Sequence, residues 1–304
     1  MDRKELLSED ALDRLRQAGL IARRAREEAC RLIKEAALVI EICEAVEEVI
    51  RLEGAKPAFP CNIGINEVAA HYTSPPGDQL RIPPRSLVKV DVGASLDGYI
   101  ADTAATVALS PELERMVEAA RIVLQEAIRV MRAGVPVSRI GLTVQEAASR
   151  LGFKTIRNLT GHEIRRNQLH TGTTIPNIGG ACPGRLEAGH IYAVEPFLTT
   201  MRGAGEVVSA KMATIYRVEP EKTNYQKLRE DERRLIQYLA ERFGNLPYAV
   251  RWIDDYERVK NIHERLVKSG RIHQYPVLVE RLGEPVAQAE HTVIVYEDGC
   301  EIIT

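Results

Sequence analysis

The sequence predicts an α+β fold, on three observations. Residues up to about 52 place apolar side chains at helical spacing among many charges. The middle of the chain breaks into short β-branched runs separated by glycine and proline turns. A charged, helix-like stretch from about 219 to 272 then interrupts a second set of such runs. Taken in order, Ser8 to about Leu52 divides into two helical segments, with Ser8 as N-cap and Gly54 as the stop before Pro57 and Pro60. LVKVDVG and YIADTAATV, joined at Asp97-Gly98, read as a hairpin over 87–108, because Asp-Gly between two such runs is the strongest short signal for a two-residue turn. A helix is expected from Ser110-Pro111 to about Arg132, ahead of Gly134-Val135-Pro136, and another from Ser138 to Leu151. Residues 154–218 alternate apolar runs with turns such as TGTTIPNIGG and close on the strand-like IYAVEPFLTT and KMATIYRVE. Past the helical stretch, YPVLVE, AQAEHTVIVYEDG and CEIIT return to strands. No low-complexity tract or repeat interrupts this order.

Bulk composition excludes several classes. The 304 residues are 45% hydrophobic, enough for one large domain or two ordinary ones. A net charge of −2 leaves no footprint for nucleic acid or an anionic membrane. The charged start MDRKELLSEDALDRL has no apolar signal region and no run approaches a membrane span, so a cytoplasmic protein is expected. Five scattered cysteines without CxxC spacing read as reduced thiols.

The hairpin carries the first chemical signal. If Asp97-Gly98 is the turn, Asp102 faces Gly93, and period-two alternation puts Asp91 on the same face as Gly93. Asp91 and Asp102 then become diagonal neighbours, roughly 7–8 Å apart at the backbone. Two acids aimed at one spot within apolar strands repel each other and resist desolvation, so a cation is expected between them. On the hairpin alone, acids that cap turns or face water explain the pair equally well.

Three further ionisable residues sit in runs that look buried: His162 in LTGHEI, Glu195 in IYAVEPF and Glu290 in AQAEHTVIVY. Singly, each reads as structural. With Asp91 and Asp102 they make four carboxylates and one imidazole, which match the charge of two divalent cations. Hard oxygen donors with one nitrogen suit Mn, Fe(II), Co or Zn better than a thiolate-seeking ion.

The ordered series VDVGASLDGYIAD, TGHEI, AVEPF and AQAEHT resembles the metal-binding signature of methionine aminopeptidases. FPCNIGINEVAAHYTSPPGD and the 219–272 stretch look like the type II branch, in its archaeal-like form without an amino-terminal extension. The resemblance runs from about residue 5 to the C-terminus. It implies a single catalytic domain over 1–304 with the pita-bread fold, two pseudo-symmetric halves closing on a dinuclear metal site, and an inserted helical subdomain at 219–272. Asp91 would chelate one metal, Asp102 and Glu290 would bridge the pair, and His162 and Glu195 would complete the second metal's shell. His71 would lie by the scissile amide nitrogen and His170 by the carbonyl oxygen. Phe59, Leu169, Phe197 and Tyr275 would form the methionine pocket, although core packing explains those four as well.

The implied activity is removal of the initiator methionine when the second residue is small. A hydroxide bridging the metals would attack, with Glu195 as general base and then acid. The implied partners are the N-termini of nascent polypeptides, met near the ribosome, with no nucleic acid or membrane, and the chain is expected to be a monomer. Three departures from the family pattern stand out: Glu163 after His162, which adds an acid beside the site, Ala289 before Glu290, and the run DTAATV. They are expected to tune the pocket or metal affinity. Two alternatives keep the fold: a prolidase-like enzyme cleaving before proline, which normally carries a large extra amino-terminal domain, and a non-catalytic binding module that has lost its ligands.

Overall fold

The opening periodicity forms two helices, α1 (Glu9–Leu32) and α2 (Val39–Leu52). Ser8 caps α1 as expected, its hydroxyl oxygen accepting from the amide of Ala11 at 3.2 Å. Beyond α2, Gly54 takes a φ of 81°, which glycine adopts without a side-chain clash. These elements belong to a computed structural model that describes residues 8–180, 182–219 and 227–304.

The chain next lays down β1 (Lys56–Pro57), β2 (Asn62–Ile65), β3 (Val68–Ala70) and the hairpin of β4 (Leu87–Leu96) and β5 (Tyr99–Ala108). Asp97 and Gly98 both take positive φ, 52° and 86°, as a type I′ turn requires. The register is the expected one, with Gly93 opposite Asp102 and Asp91 opposite Ala104. α1 packs across β4 and β5, burying Leu15, Ile21 and Ala25 in a core shared with Val90 and Ile100.

A second helix pair follows, α3 (Pro111–Arg129) and α4 (Val137–Arg150). α3 stops short of the expected Arg132 because the chain is pulled into long-range pairing. The amide of Ala133 donates to Tyr296 at 2.9 Å and that of Gly134 to Leu186 at 2.8 Å. Then come β6 (Lys154–Thr155), the hairpin of β7 (Thr160–Arg165) and β8 (Gln168–Pro176), β9 (Ile191–Val194), β10 (Phe197–Thr199) and the long β11 (Val207–Val218). α3 and α4 cover a separate core that includes Val123, Ile140, Val144 and Tyr192. A helix pair and a hairpin thus occur twice, each over its own core, which is the two-halved pita-bread arrangement.

The charged stretch forms α5 (Glu230–Phe243) and α6 (Tyr256–Lys268), joined through β12 (Tyr248–Ala249) and a 3-10 turn at Val250–Trp252. Its first part, residues 220–226, lies outside the described residues. Leu235, Ile236, Leu239, Tyr248 and Leu266 give this unit a core of its own. β13 (Ile272–Glu280) pairs antiparallel with β11, so the helices are carried between two adjacent strands. β14 (Val286–Gln288), β15 (His291–Val295) and β16 (Cys300–Ile302) complete the chain. Among the described residues no helix is long and apolar enough to cross a membrane.

Candidate metal centre and substrate cavity

Two strand breaks position the glutamates. β9 gives way to β10 at Glu195-Pro196, where proline cannot donate to the ladder. The run AQAEHTVIVY, which reads as one strand, divides at Ala289-Glu290. β14 pairs with β10 while β15 pairs with β9, so both breaks fall where the same two strand pairs change sheets. The Glu290 amide donates to Ala104 at 3.0 Å, and Ala104 stands opposite Asp91. Asp91, Ala104 and Glu290 therefore form one row across three strands. His162 enters from β7, opposite Ala193 of β9.

These placements bring the five residues together. His162 Nε2 lies 3.5 Å from Asp102 Oδ2 and 3.5 Å from Glu195 Oε1. Ligand atoms of Asp102, His162 and Glu290 lie within 4.8 Å of one another. Asp102, His162 and Glu290 are buried, whereas Asp91 and Glu195 are partly exposed and mark the open side.

Burial raises the pKa of all four carboxyls. At Asp91 the charge of Asp102 adds to it, at Glu195 the charges of Asp102 and Asp91, and at Glu290 those of Asp102, Glu195 and Asp91. Burial pushes His162 down to about 4, which keeps it neutral and able to ligate. Among the described residues, Asp91 Oδ1, Asp102 Oδ1 and Glu290 Oε1 are buried without any hydrogen-bond partner. Buried polar atoms are normally partnered, since an unsatisfied one costs about 1–3 kcal/mol. Cations between these oxygens would satisfy all three, and the donor set fits hard divalent ions.

Sequence reasoning missed the residues that hold the acids. Gln288 is buried and donates from Nε2 to Glu290 Oε2 at 3.2 Å, and its side-chain amide favours the charged form of Asp91. Thr292 Oγ1 accepts from the Asp102 amide at 2.8 Å and donates to its carbonyl at 2.7 Å. Thr103 Oγ1 donates to the Glu290 carbonyl at 2.9 Å. The only signal for Gln288 was an amide in an otherwise apolar run.

Glu163 does not add a charge to the site. Strand alternation turns it away from its neighbour His162. Oε1 meets Arg165 Nε and His190 Nδ1, each at 2.9 Å, and Oε2 accepts from the Thr173 amide at 2.9 Å.

The other histidines stand beside the acids. His170 packs edge-on to His162 with ring centres 4.3 Å apart. Its ring is open to the cleft, yet crowding by the cleft walls and the nearby His162, His71 and Arg217 hold its pKa well below the usual range. His71 has a φ of 66°, a strained conformation of a kind that clusters at functional sites. Its Nδ1 lies 3.2 Å from the Pro276 carbonyl, which can only accept, so Nδ1 carries the proton and Nε2 keeps its lone pair.

Leu169, His170 and Tyr275 line a cavity of about 110 Å³ with Gln168, Arg217, Asn245 and Pro247. Asn245 and Pro247 also line a groove of about 970 Å³ that runs to the Asp97-Gly98 turn and α5. Phe59 and Phe197 are not on that cavity's wall. Phe59 packs over Gly93, where a β-carbon would strike its ring, and Phe197 packs with Ile156, Val207 and Val286. Of the four residues expected to make one pocket, Leu169 and Tyr275 thus line this cavity together, while Phe59 and Phe197 pack elsewhere.

Comparison with known proteins fits this geometry. The model of metallopeptidase family M24 matches residues 13–257. The methionine aminopeptidase of Saccharolobus solfataricus is 40% identical over 302 residues, covering 98% of this chain and 99% of the relative. That of Methanothermobacter thermautotrophicus is 43% identical over 295 residues, covering 95% and 97%. The chain belongs to the methionine aminopeptidases of metallopeptidase family M24. A solved structure described as a thermophilic Arx1 shares the fold of this methionine aminopeptidase family member, with a TM-score of 0.84 at 20% identity over 98% of this chain and 91% of the other. Identity near 40% along nearly the whole chain favours methionine removal over cleavage before proline and over a ligand-free binding module.

Proposed function

We propose that this metallopeptidase removes the initiator methionine from new polypeptides whose second residue is small. The observation that carries the reading is the cluster of four acids and His162, with orphaned oxygens, beside a side-chain-sized cavity that includes His170. Asp91 is read as holding one divalent ion, Asp102 and Glu290 as shared by two, and His162 and Glu195 as completing the second. Mn, Fe(II), Co and Zn all suit these donors. Bound there, the ions would acidify a water and polarise the substrate carbonyl.

The chain's own residues then do the following. Glu195, on the open side, takes the proton of the attacking water and passes it to the leaving amine nitrogen. His170 donates to the substrate carbonyl oxygen as charge develops there, a role worth about 2.7–4 kcal/mol in comparable sites. His71, with its proton committed to Pro276, offers Nε2 as an acceptor and so orients the scissile amide N–H rather than protonating it. Leu169 and Tyr275 are read as holding the methionine side chain, with Phe59 and Phe197 supporting the walls behind. The helices carried between β11 and β13 are read as the type II insertion and frame the groove along which the polypeptide leaves. The working protein is read as a cytoplasmic monomer that meets its substrates near the ribosome.

Mn- or Co-loaded protein should release methionine from Met-Gly and Met-Ala peptides and leave Met-Leu peptides largely intact. Cleavage of Xaa-Pro bonds without action on Met-Ala would replace this reading with the prolidase one.

A further inference from the structure

Arg26 of α1 stands behind the acid cluster rather than in it. It meets the residue that follows each of the two acids read as shared, Thr103 after Asp102 and His291 after Glu290. Alternation along β5 turns Thr103 away from the side on which Asp102 stands, and there Arg26 reaches it. The guanidinium donates through Nη1 to Thr103 Oγ1, and Thr103 Oγ1 in turn donates to the Glu290 carbonyl at 2.9 Å. The same nitrogen lies 3.5 Å from His291 Nδ1, which can only accept from it, since a guanidinium has no lone pair to offer. His291 Nδ1 is also 3.0 Å from Thr304 Oγ1, and Thr304 Oγ1 accepts from the Thr292 amide at 3.1 Å. Thr292 is the residue whose hydroxyl spans the amide and carbonyl of Asp102. One side chain on α1 is thereby joined to the backbone supports of both shared acids.

Two roles are open to such a residue, and they act in opposite directions. A positive charge behind the acids repels the cations they would hold, so through charge alone Arg26 would weaken metal binding. Its hydrogen bonds work the other way. They fix the Thr103 hydroxyl and, through it, the junction of β5 with β15 from which Asp102 and Glu290 project. Ligands held in place by such outer partners bind metal more tightly. We propose that Arg26 is a positioning residue for the metal pair, acting through the Thr103 hydroxyl to hold the strand junction that carries Asp102 and Glu290. The inference rests on the metal-dependent reading above. It gives the first helix of the chain a part in cation affinity.

The test is Mn binding by calorimetry to the metal-stripped full chain, in wild type, Arg26→Met, Thr103→Val and the double variant. Arg26→Met keeps the length of the side chain and removes its donors, and Arg26→Gln takes its place if that variant does not fold. Each single change is expected to weaken Mn binding roughly 10–100-fold, the usual cost of removing a partner that orients a ligand, while saturating Mn returns most of the turnover of Met-Ala-Ser. The double variant is expected to lose no more than Thr103→Val alone, because a residue acting through Thr103 then has nothing to act on. Unchanged or tighter binding in the Arg26 variant overturns the inference, and so does a double variant whose loss is the product of the two single losses. Wild type that neither binds Mn nor cleaves Met-Ala-Ser overturns the reading on which the inference rests.

Discussion

Glu47 on α2 and Glu290 between β14 and β15 are each 1% exposed, and burial raises the pKa of both. At Glu47 the protein closes the account of hydrogen bonds. Oε1 pairs with Arg251 and accepts from the Cys61 amide at 3.0 Å, and Oε2 accepts from Trp252 Nε1 at 2.7 Å. Arg251 and Trp252 belong to the 3-10 turn of the helical unit, so Glu47 ties that unit to the first half of the fold. At Glu290 the neighbours are Asp102, Glu195 and Asp91, which raise its pKa further, and Oε1 has no hydrogen-bond partner among the described residues. A buried acid ringed by donors is a brace, whereas one ringed by other acids is a receptor for cations.

That contrast is most exposed at Glu290 itself. Glu290→Ala should lose both ions and reduce turnover by more than the roughly 100-fold that removing an outer partner costs. Elemental analysis showing two metals retained per chain would contradict the shared-ligand role. The metal-free protein should not be destabilised by Glu290→Gln, because the change removes a repelled charge and keeps the shape.

Glu47→Ala should behave in the opposite way. It strands Arg251, whose side chain is 5% exposed, and should cost about 3–5 kcal/mol in denaturant unfolding. Metal content should be unchanged. A loss of metal with little loss of stability would mean that the two acids do not differ as the geometry says.

Acid should weaken the helical unit in particular. His263 is buried, stands 3.0 Å from the Tyr248 hydroxyl through Nε2, and has its pKa pushed down to about 4 by burial. The unfolded chain takes up a proton near 6.5, before the folded one does, so stability is full above pH 6.5 and falls as pH drops toward 4. The loss should approach about 3 kcal/mol. His263→Gln should flatten that part of the pH profile of thermal unfolding, and an equally steep fall in the variant would assign the effect to another group.

The contrast also shows what was legible in the sequence. The Asp91–Asp102 pairing follows from period-two alternation about an Asp-Gly turn, which is local, and it holds in the structure. Glu195 and Glu290 were visible because a charge stands out in an apolar run. The break in AQAEHTVIVY was not, because β-propensity says that a residue suits a strand but not which sheet it joins. Glu163 could have been placed correctly from alternation alone, since it adjoins His162 on one strand. The separation of Phe59 and Phe197 from the His170 cavity depends on packing against residues distant in sequence. Gln288 was passed over for a related reason: a polar residue in a strand shows its role only when the facing element is known.

Gln288 allows that last point to be measured, with the smallest effect of the set. It holds Glu290 and favours the charged form of Asp91 but is not read as a metal ligand, so Gln288→Ala should leave both ions able to bind while loosening the acids around them. Metal affinity should fall roughly 10–100-fold, the usual cost of removing a partner that orients a ligand. Excess metal should then restore most of the activity, which it would not do after Glu290→Ala. If Gln288→Ala were as irreversible as Glu290→Ala under titration with Mn or Co, the amide would have to be counted among the ligands. The cations would then be held by more than the four acids and one histidine.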